Sequence, residues 1–354
     1  MATWLTSFRA SFLESALDVL WGQWTTLGVL GRGNLTDRRP VDPEALLTLS
    51  VFFGRFDPRL FDAFLEWWSQ NDQWLSSTRL RRLSAGLKPD ERRILSAIVE
   101  SVLVQKHPKK WQRLATSEEG QSLDAGSEES LFLMPDGRPL PALGNVDPVF
   151  RRFGFLRGRF ERRGIAQEVP LQRRGNERIR LRGLFGVTSR AEIVLYLLTH
   201  EVAHARLISR HAHYSYDAVS TALGQMNLAG FVTRERHARE VEYRLEHENW
   251  SAFLKLPART AWVDWARTFS ALRLIWTCTN ELVGKRVTDA ILGAELYHCA
   301  LRANRLLRDG ELDFAFPRWE ERESSAYPKI FDQEVRKLFR ALQLEEGRAP
   351  RRGF

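Results

Sequence analysis

The chain has 354 residues, of which 44% are hydrophobic, so it can form two or three domains with sizeable cores. Its formal net charge of +9 favours polyanionic partners such as nucleic acid or an acidic membrane surface. Two cysteines are too few for a disulfide framework or a cysteine-based metal knuckle. No long uncharged apolar run occurs, and Glu14 and Asp18 interrupt the first apolar stretch, so we expect a cytoplasmic protein without a membrane span or signal peptide.

Helix-forming residues dominate and β-branched runs are rare, which predicts a mainly α fold. Residues 1–115 are predicted to form a helical N-terminal domain. Asp42-Pro43 and Asp57-Pro58 suit helix starts, because proline is tolerated in the first turn after a capping residue. Residues 116–150 are predicted to be a linker followed by a short hairpin around an Asp-Gly turn. Residues 258–354 are predicted to form a helical C-terminal region.

The segment between these regions, residues 151–257, begins with an arginine-rich stretch. Ile179 to Arg182 alternates in polarity, as an edge strand would. We expect that the arginines of this stretch could hold the phosphates of a nucleic acid, or lie in solvated or paired positions on the surface. The arginines are Arg151, Arg152, Arg157, Arg159, Arg162, Arg163, Arg173, Arg174, Arg178, Arg180 and Arg182.

A segment without glycine or proline carries the main candidate site. It reads RAEIVLYLLTHEVAHARLISRHAH from Arg190 to His213, and it follows Ser189, a residue type that caps helices. Nothing in it interrupts a helix, so we expect one continuous helix. On such a helix His200 and His204 lie one turn apart on the same face, and both imidazoles can reach one Zn²⁺ ion.

Glu201 completes the pattern H-E-x-x-H. A zinc ion lowers the pKa of a bound water and polarises a carbonyl group, and a glutamate beside it can take the proton of that water as a general base. Six of the eight histidines fall between positions 200 and 247, which a purely structural helix would not require. The pattern predicts a metal-dependent hydrolase with Glu201 as its catalytic residue.

The sequence LLTHEVAHA, at 197–205, resembles the zincin metallopeptidases. Leu207 and Arg210 stand where the metzincin subgroup has a glycine and a third histidine, so the resemblance points to the gluzincin side. That group takes its third zinc ligand from a glutamate on a later helix. The favoured candidate is Glu248, on a helix predicted from Ala238 to Leu254, and the weaker candidates are Glu240, Glu242 and His211. The resemblance implies a zincin-like core, so we expect a mainly α fold with a small β-sheet beside the metal helix. It also implies zinc-dependent hydrolysis of a peptide bond in a protein substrate. Tyr214, Tyr216 and the nearby histidines are candidates for stabilising the oxyanion.

The same region supports a second interpretation, a winged helix-turn-helix that binds double-stranded DNA as a transcriptional regulator. Ser215 can cap a helix to about Asn227, and Gly230 can end it. Its predicted inner residues are Val219, Ala222, Leu223 and Met226. Its predicted outer residues are short or polar, as a helix entering the major groove requires: Asp217, Ser220, Thr221, Gly224 and Gln225.

Basic residues follow this helix and resemble the wing of bacterial winged-helix regulators: Arg234, Arg236, His237 and Arg239.

Two features of the sequence argue against the winged helix-turn-helix interpretation. No breaker separates a first from a second helix between residues 190 and 213, and the segment from Arg239 to Leu245 continues equally well as the helix that carries Glu248. The two interpretations can also be combined, because the arginines of 151–182 could hold nucleic acid while a peptidase acts on a protein.

Overall fold

The computed structural model describes residues 2–31, 39–104, 106–115, 128–142, 144–237, 240–255, 261–285, 287–318 and 326–343. Helices account for 64% of the described residues and strands for 7%, which confirms the predicted mainly helical fold with small sheets. Among the described residues, the helices are all too short or too polar to cross a lipid bilayer.

Capping residues set the starts of helices in the N-terminal part. The Asp42 carboxylate accepts a hydrogen bond from the N–H of Ala45 (3.1 Å), and that of Asp57 accepts one from Leu60 (3.1 Å). Both starts are those that the Asp-Pro pairs predict. The helices are α1 (Ala2–Thr26), α2 (Pro43–Phe53), α3 (Pro58–Asn71), α4 (Ser77–Ser84), α5 (Pro89–Val99) and α6 (Pro108–Ala115), with short 3-10 or π turns at Gly54–Phe56, Asp72–Trp74 and Glu100–Val104.

The arginine-rich stretch ends in a helix. Two short parallel strands, β1 (Glu129–Ser130) and β2 (Phe155–Leu156), flank α7 (Pro148–Arg152), and α8 (Glu177–Phe185) follows. The predicted edge strand at Ile179–Arg182 is therefore wrong. The polarity alternates because Ile179 and Leu181, two positions apart on a helix, are each buried in a different hydrophobic core.

The next segment alternates helices with the strands of a second sheet. Its elements are α9 (Ser189–Thr199), β3 (Ala203–His204), α10 (Ala205–Ala212), α11 (Tyr216–Leu228), β4 (Thr233–His237), β5 (Glu240–Arg244) and α12 (His247–Leu254). The strands pair antiparallel in the order β3-β5-β4. The apolar side chains of this segment form a core of their own.

The C-terminal helices complete the core of the N-terminal helices. They are α13 (Trp265–Glu281), α14 (Asp289–Asp309) and α15 (Tyr327–Gln343). Phe12 of α1 has its ring centroid 5.0 Å from that of Phe339 and 5.9 Å from that of Trp276. We call this shared unit the body and residues 189–244 the module.

A buried cluster of charges joins the module to the body. Its members are Asp42, Glu44, Arg79, Arg178, Arg182 and Glu192, and all are almost fully shielded from solvent. Burial alone would raise the pKa of Asp42, but Arg178 and Arg79 hold it well below its usual range. The Nε–H of Arg79 donates to the carbonyl of Ala212 in the module (2.9 Å). Because three cations meet three carboxylates, the cluster is neutral and its hydrogen bonds fix the orientation of the module.

Candidate functional site

The H-E-V-A-H sequence lies where the chain leaves one helix and enters the next. Helix α9 ends at Thr199, His200 is extended (φ −131°, ψ 138°), and His204 belongs to β3. The prediction of one continuous helix over residues 190–213 is wrong. Two interactions end α9 without glycine or proline: the Thr199 hydroxyl donates to the carbonyl of Tyr196 (2.8 Å), and β3 pairs with β5.

This geometry separates the two histidines that a helix would have brought together. His200 Nε2 lies 2.8 Å from Glu311 Oε2, and the His200 ring stacks on Tyr196 with 3.9 Å between centroids. His204 Nδ1 instead faces the carbonyl of Val241 at 3.3 Å. The side chain of Glu201 is exposed.

Glu248, the predicted third ligand, is exposed in the first turn of α12. The predicted helix from Ala238 to Leu254 is wrong, because residues 240–244 form β5. Within the described residues, no three histidine, cysteine, aspartate or glutamate side chains are placed to hold one metal ion. The zinc site stays a prediction, but the shared helical face on which it rested is absent.

The module combines three helices with a three-stranded sheet. Helix α9, strand β3, helix α10, a short turn, helix α11 and the β4–β5 hairpin follow in this order, and β5 pairs with both β3 and β4. This is a three-helix unit closed by a hairpin, in which α10 and α11 form the helix-turn-helix pair.

The turn between α10 and α11 uses a residue in the left-handed region. His213 has φ 56°, a conformation that few residues other than glycine adopt, and it ends α10. Its Nε2 atom lies 3.3 Å from Asp264 Oδ1, and its carbonyl accepts a hydrogen bond from Arg82 (3.4 Å). The Ser215 hydroxyl then caps α11 by accepting from the N–H of Ala218 (3.3 Å). Contacts from the body therefore hold the turn.

Helix α11 has the two faces that the sequence predicts. The predicted inner residues are all buried: Val219, Ala222, Leu223 and Met226. Of the predicted outer residues, Ser220 is partly buried and the others are exposed: Asp217, Thr221, Gly224 and Gln225. An open groove of about 370 Å³ runs between this face and the start of α9, where Arg190 donates to the side-chain carbonyl of Gln225.

The hairpin presents basic side chains to solvent. Arg234 and Arg236, two residues apart on β4, are both exposed, and so is Arg244 on β5. Arg206 and Arg210 are exposed one turn apart on α10. The strand of His237 is described but its side chain is not, and Arg239 lies outside the described residues.

Three of the arginines expected to hold phosphates are buried in ion pairs. Arg178 and Arg182 belong to the buried charge cluster, and Arg157 donates to Asp62 (2.6 Å). These three cannot reach a polyanion, so the expectation is wrong for them. Most other arginines of the 151–182 stretch, such as Arg159 and Arg174, are exposed.

Three histidines of the module bind carboxylates of the C-terminal part. His211 lies between Asp264 (Nδ1–Oδ2 3.2 Å) and Glu311 (Nε2–Oε1 3.2 Å), His213 pairs with Asp264, and His200 pairs with Glu311. Burial opposes ionisation of Asp264, but hydrogen bonds from His211 and His213 hold its pKa well below the usual range. This histidine cluster is a second set of polar contacts between the module and the body. It accounts for three of the six clustered histidines.

The comparisons with known proteins do not add to this geometry. No family model matches the chain, and no curated protein or solved structure is significantly similar to it. Any function must therefore be argued from the residues and their arrangement.

Proposed function

We propose that the chain binds double-stranded DNA through the module, with α11 in the major groove and the β4–β5 hairpin against the neighbouring backbone. The observation that carries this proposal is the position of β3. It lies between α9 and α10 and pairs with β5, so the sheet holds the hairpin in a fixed position beside the helix-turn-helix pair.

The exposed face of α11 suits close approach to bases. The helix has 13 residues, which corresponds to a length of roughly 20 Å. The Gln225 amide can form two hydrogen bonds with an adenine edge, and Thr221 offers a hydroxyl and a methyl group. Gly224 between them has no side chain, so the backbone can approach the groove floor. Asp217 can accept a hydrogen bond from the amino group of a cytosine.

Exposed arginines on other elements of the module can supply the phosphate contacts. Arg206 and Arg210 on α10 and Arg234 and Arg236 on β4 lie on the two elements that flank α11 in the module. Arginine binds phosphate oxygens in a planar, bidentate geometry, and such contacts position a protein without reading sequence. In the free chain, Arg190 bonds the side chain of Gln225, and it could hold that amide in place for base contact.

Hydrogen bonds from the body to the module also support the proposal, because they fix the turn before α11. Arg79 reaches the carbonyl of Ala212, and Arg82 reaches that of His213, at the turn that precedes α11. A recognition helix whose entry turn is already fixed loses little conformational freedom on binding. We therefore expect rigid docking without a disorder-to-order transition of the module.

Selection of duplexes from a random pool, followed by affinity measurement, tests the proposal. We expect an enriched site with a Kd of roughly 10⁻⁸ to 10⁻¹¹ M. Gln225→Ala should lose discrimination at one or two base pairs, whereas Gln172→Ala, an exposed glutamine of the body, should not. Failure to enrich any sequence, together with equal weak binding by wild type and both variants, would refute sequence-specific DNA binding.

The zinc-peptidase prediction has a separate test. If it holds, purified protein carries near-stoichiometric zinc that is lost in His204→Ala, and Glu201→Gln keeps the metal but abolishes cleavage. Metal analysis of protein purified without chelators decides this independently of DNA affinity. A chain without bound zinc that binds duplex DNA would support the winged-helix proposal alone.

A further inference from the structure

A second basic site lies on the body, between α4 and α6. It is a cavity of about 190 Å³. Four of its seven lining residues are cations, and no carboxylate lines it: Ser77, Thr78, Arg81, Lys109, Lys110, Arg113 and Leu114. So many cations around one small cavity repel one another, and an anion would relieve that repulsion.

The cations of this cavity are not neutralised by neighbouring acids. Arg81, Lys109 and Arg113 make no side-chain hydrogen bond or ion pair in the part of the chain that the structure describes. Lys110 donates to the carbonyl of Asp72 (2.5 Å), but the Asp72 carboxylate is 4.0 Å from Lys110 and is already engaged by other donors, including Lys106 at 3.0 Å. Burial lowers the pKa of Lys110, so its ammonium is incompletely solvated and would gain from an anionic partner.

The residues that line the cavity indicate which class of anion it can bind. Two arginines can bond a tetrahedral oxyanion in bidentate fashion, and the hydroxyls of Ser77 and Thr78 are further donors. Leu114 is the one apolar side chain among the lining residues, so a nucleobase or other ring would find no surface on which to stack. The cavity is thus suited to a phosphate group and not to the rest of a nucleotide.

The cavity lies beside the turn that precedes α11. Ser76, the residue before Ser77, accepts a hydrogen bond from the hydroxyl of Tyr214 (3.1 Å), and Arg82, the residue after Arg81, contacts His213. We propose that this cavity binds a phosphate group. Two sources fit its position: a backbone phosphate of DNA flanking the site under α11, which rests on the proposed function, and a free phosphorylated small molecule, which does not.

The first arm of the test uses inorganic phosphate and pyrophosphate at constant ionic strength. The cavity variant Arg81→Gln/Lys109→Gln/Arg113→Gln removes three exposed charges and keeps polar side chains. The control variant Arg305→Gln/Lys329→Gln/Arg340→Gln removes the same number of charges from exposed positions on α14 and α15. We expect phosphate to raise the melting temperature of wild type and control, with at least tenfold weaker binding to the cavity variant.

The second arm measures affinity for a selected duplex with and without about ten flanking base pairs on each side. If the phosphate belongs to DNA, the cavity variant loses affinity only for the longer duplex, equally for all flanking sequences. The slope of log Kd against log salt then falls by about 0.9 for each phosphate released. If the source is a small molecule, only the first arm responds.

Equal behaviour of the cavity and control variants in both arms would overturn the inference. A wild type that binds no duplex but gains stability from phosphate through the cavity would refute DNA binding and leave the phosphate site supported.

Discussion

Arg79 offers the most direct test of how module and body are joined. Its side chain is fully buried, pairs with Asp42 and Glu44, and donates to the carbonyl of Ala212. Arg79→Met fills a similar volume but removes one of three cations that balance three carboxylates. Removing one partner of a buried ion pair lowers the free energy of unfolding by about 3–5 kcal/mol. We take this range to include the cost of leaving the carbonyl of Ala212 without its donor. We expect the free energy of unfolding to fall by about 4 kcal/mol.

A double variant separates charge from packing. Asp42→Asn removes one carboxylate and keeps a side chain that can cap α2, so Arg79→Met/Asp42→Asn leaves a neutral cluster of two cations and two carboxylates. If electrostatic imbalance dominates the cost, the double variant is more stable than the sum of the single effects predicts, by at least about 1 kcal/mol. Strict additivity would show that the cost of Arg79→Met does not arise from charge imbalance with Asp42.

Urea unfolding followed by tryptophan fluorescence and by far-UV circular dichroism gives these free energies. Because the chain has two hydrophobic cores, agreement of the two signals must be checked before a single transition is fitted. Arg305→Met, at an exposed position, serves as the control and should change stability by less than about 0.5 kcal/mol. An Arg79→Met variant within about 1 kcal/mol of wild type would refute the assigned role of the cluster.

Three further predictions concern the DNA-binding surface and the histidine cluster. Gln225→Asn shortens the side chain and should weaken binding to the selected site by about 1–3 kcal/mol while nonspecific affinity stays the same, which competition with unrelated duplex measures. Arg234→Ala/Arg236→Ala should weaken binding to all sequences alike and lower the salt slope by about 2, as titrations from 50 to 300 mM salt would reveal; a loss confined to one sequence would contradict a phosphate role. Because the pKa values of Asp264 and Glu311 are depressed, their stabilisation is present above the unfolded carboxyl value near pH 4 and is lost as pH falls through the folded values. Urea unfolding between pH 2.5 and 6 should therefore show a shallower acid loss for Asp264→Asn, and parallel curves would remove the cluster from the acid response.

The helical class, two Asp-Pro helix starts and both faces of α11 could be predicted from the sequence, because capping and apolar spacing are local properties. The end of α9 could not. No local breaker separates Thr199 from Ala205, and the break depends on pairing of β3 with β5, which is distant in sequence. The H-E-x-x-H pattern fixes only the spacing of the two histidines along the chain. This spacing brings their side chains together only if the segment is helical.

The sequence of β5, in contrast, has a pattern that indicates a strand. Val241, Tyr243 and Leu245 alternate with Glu242 and Arg244, which is the period of a strand with one buried face. The histidine pairs could not be predicted, because Asp264 and Glu311 lie far along the chain and meet the histidines only when α13 and α14 pack on the body.

Helices α1–α6 and α13–α15 share one core, and this affects how the chain folds during synthesis on the ribosome. Phe12 and Phe53 are synthesised early, but their partners Trp276 and Phe339 lie far along the chain and are synthesised much later. Contacts of such long range close slowly, and until then the N-terminal helices must expose apolar surface. The buried residues of the core around the module all lie between positions 181 and 254, so this core does not depend on α13–α15. Nascent chains arrested after the module has left the ribosome, but before α13–α15 have, should therefore hold a folded module beside an unfinished body that chaperones can bind.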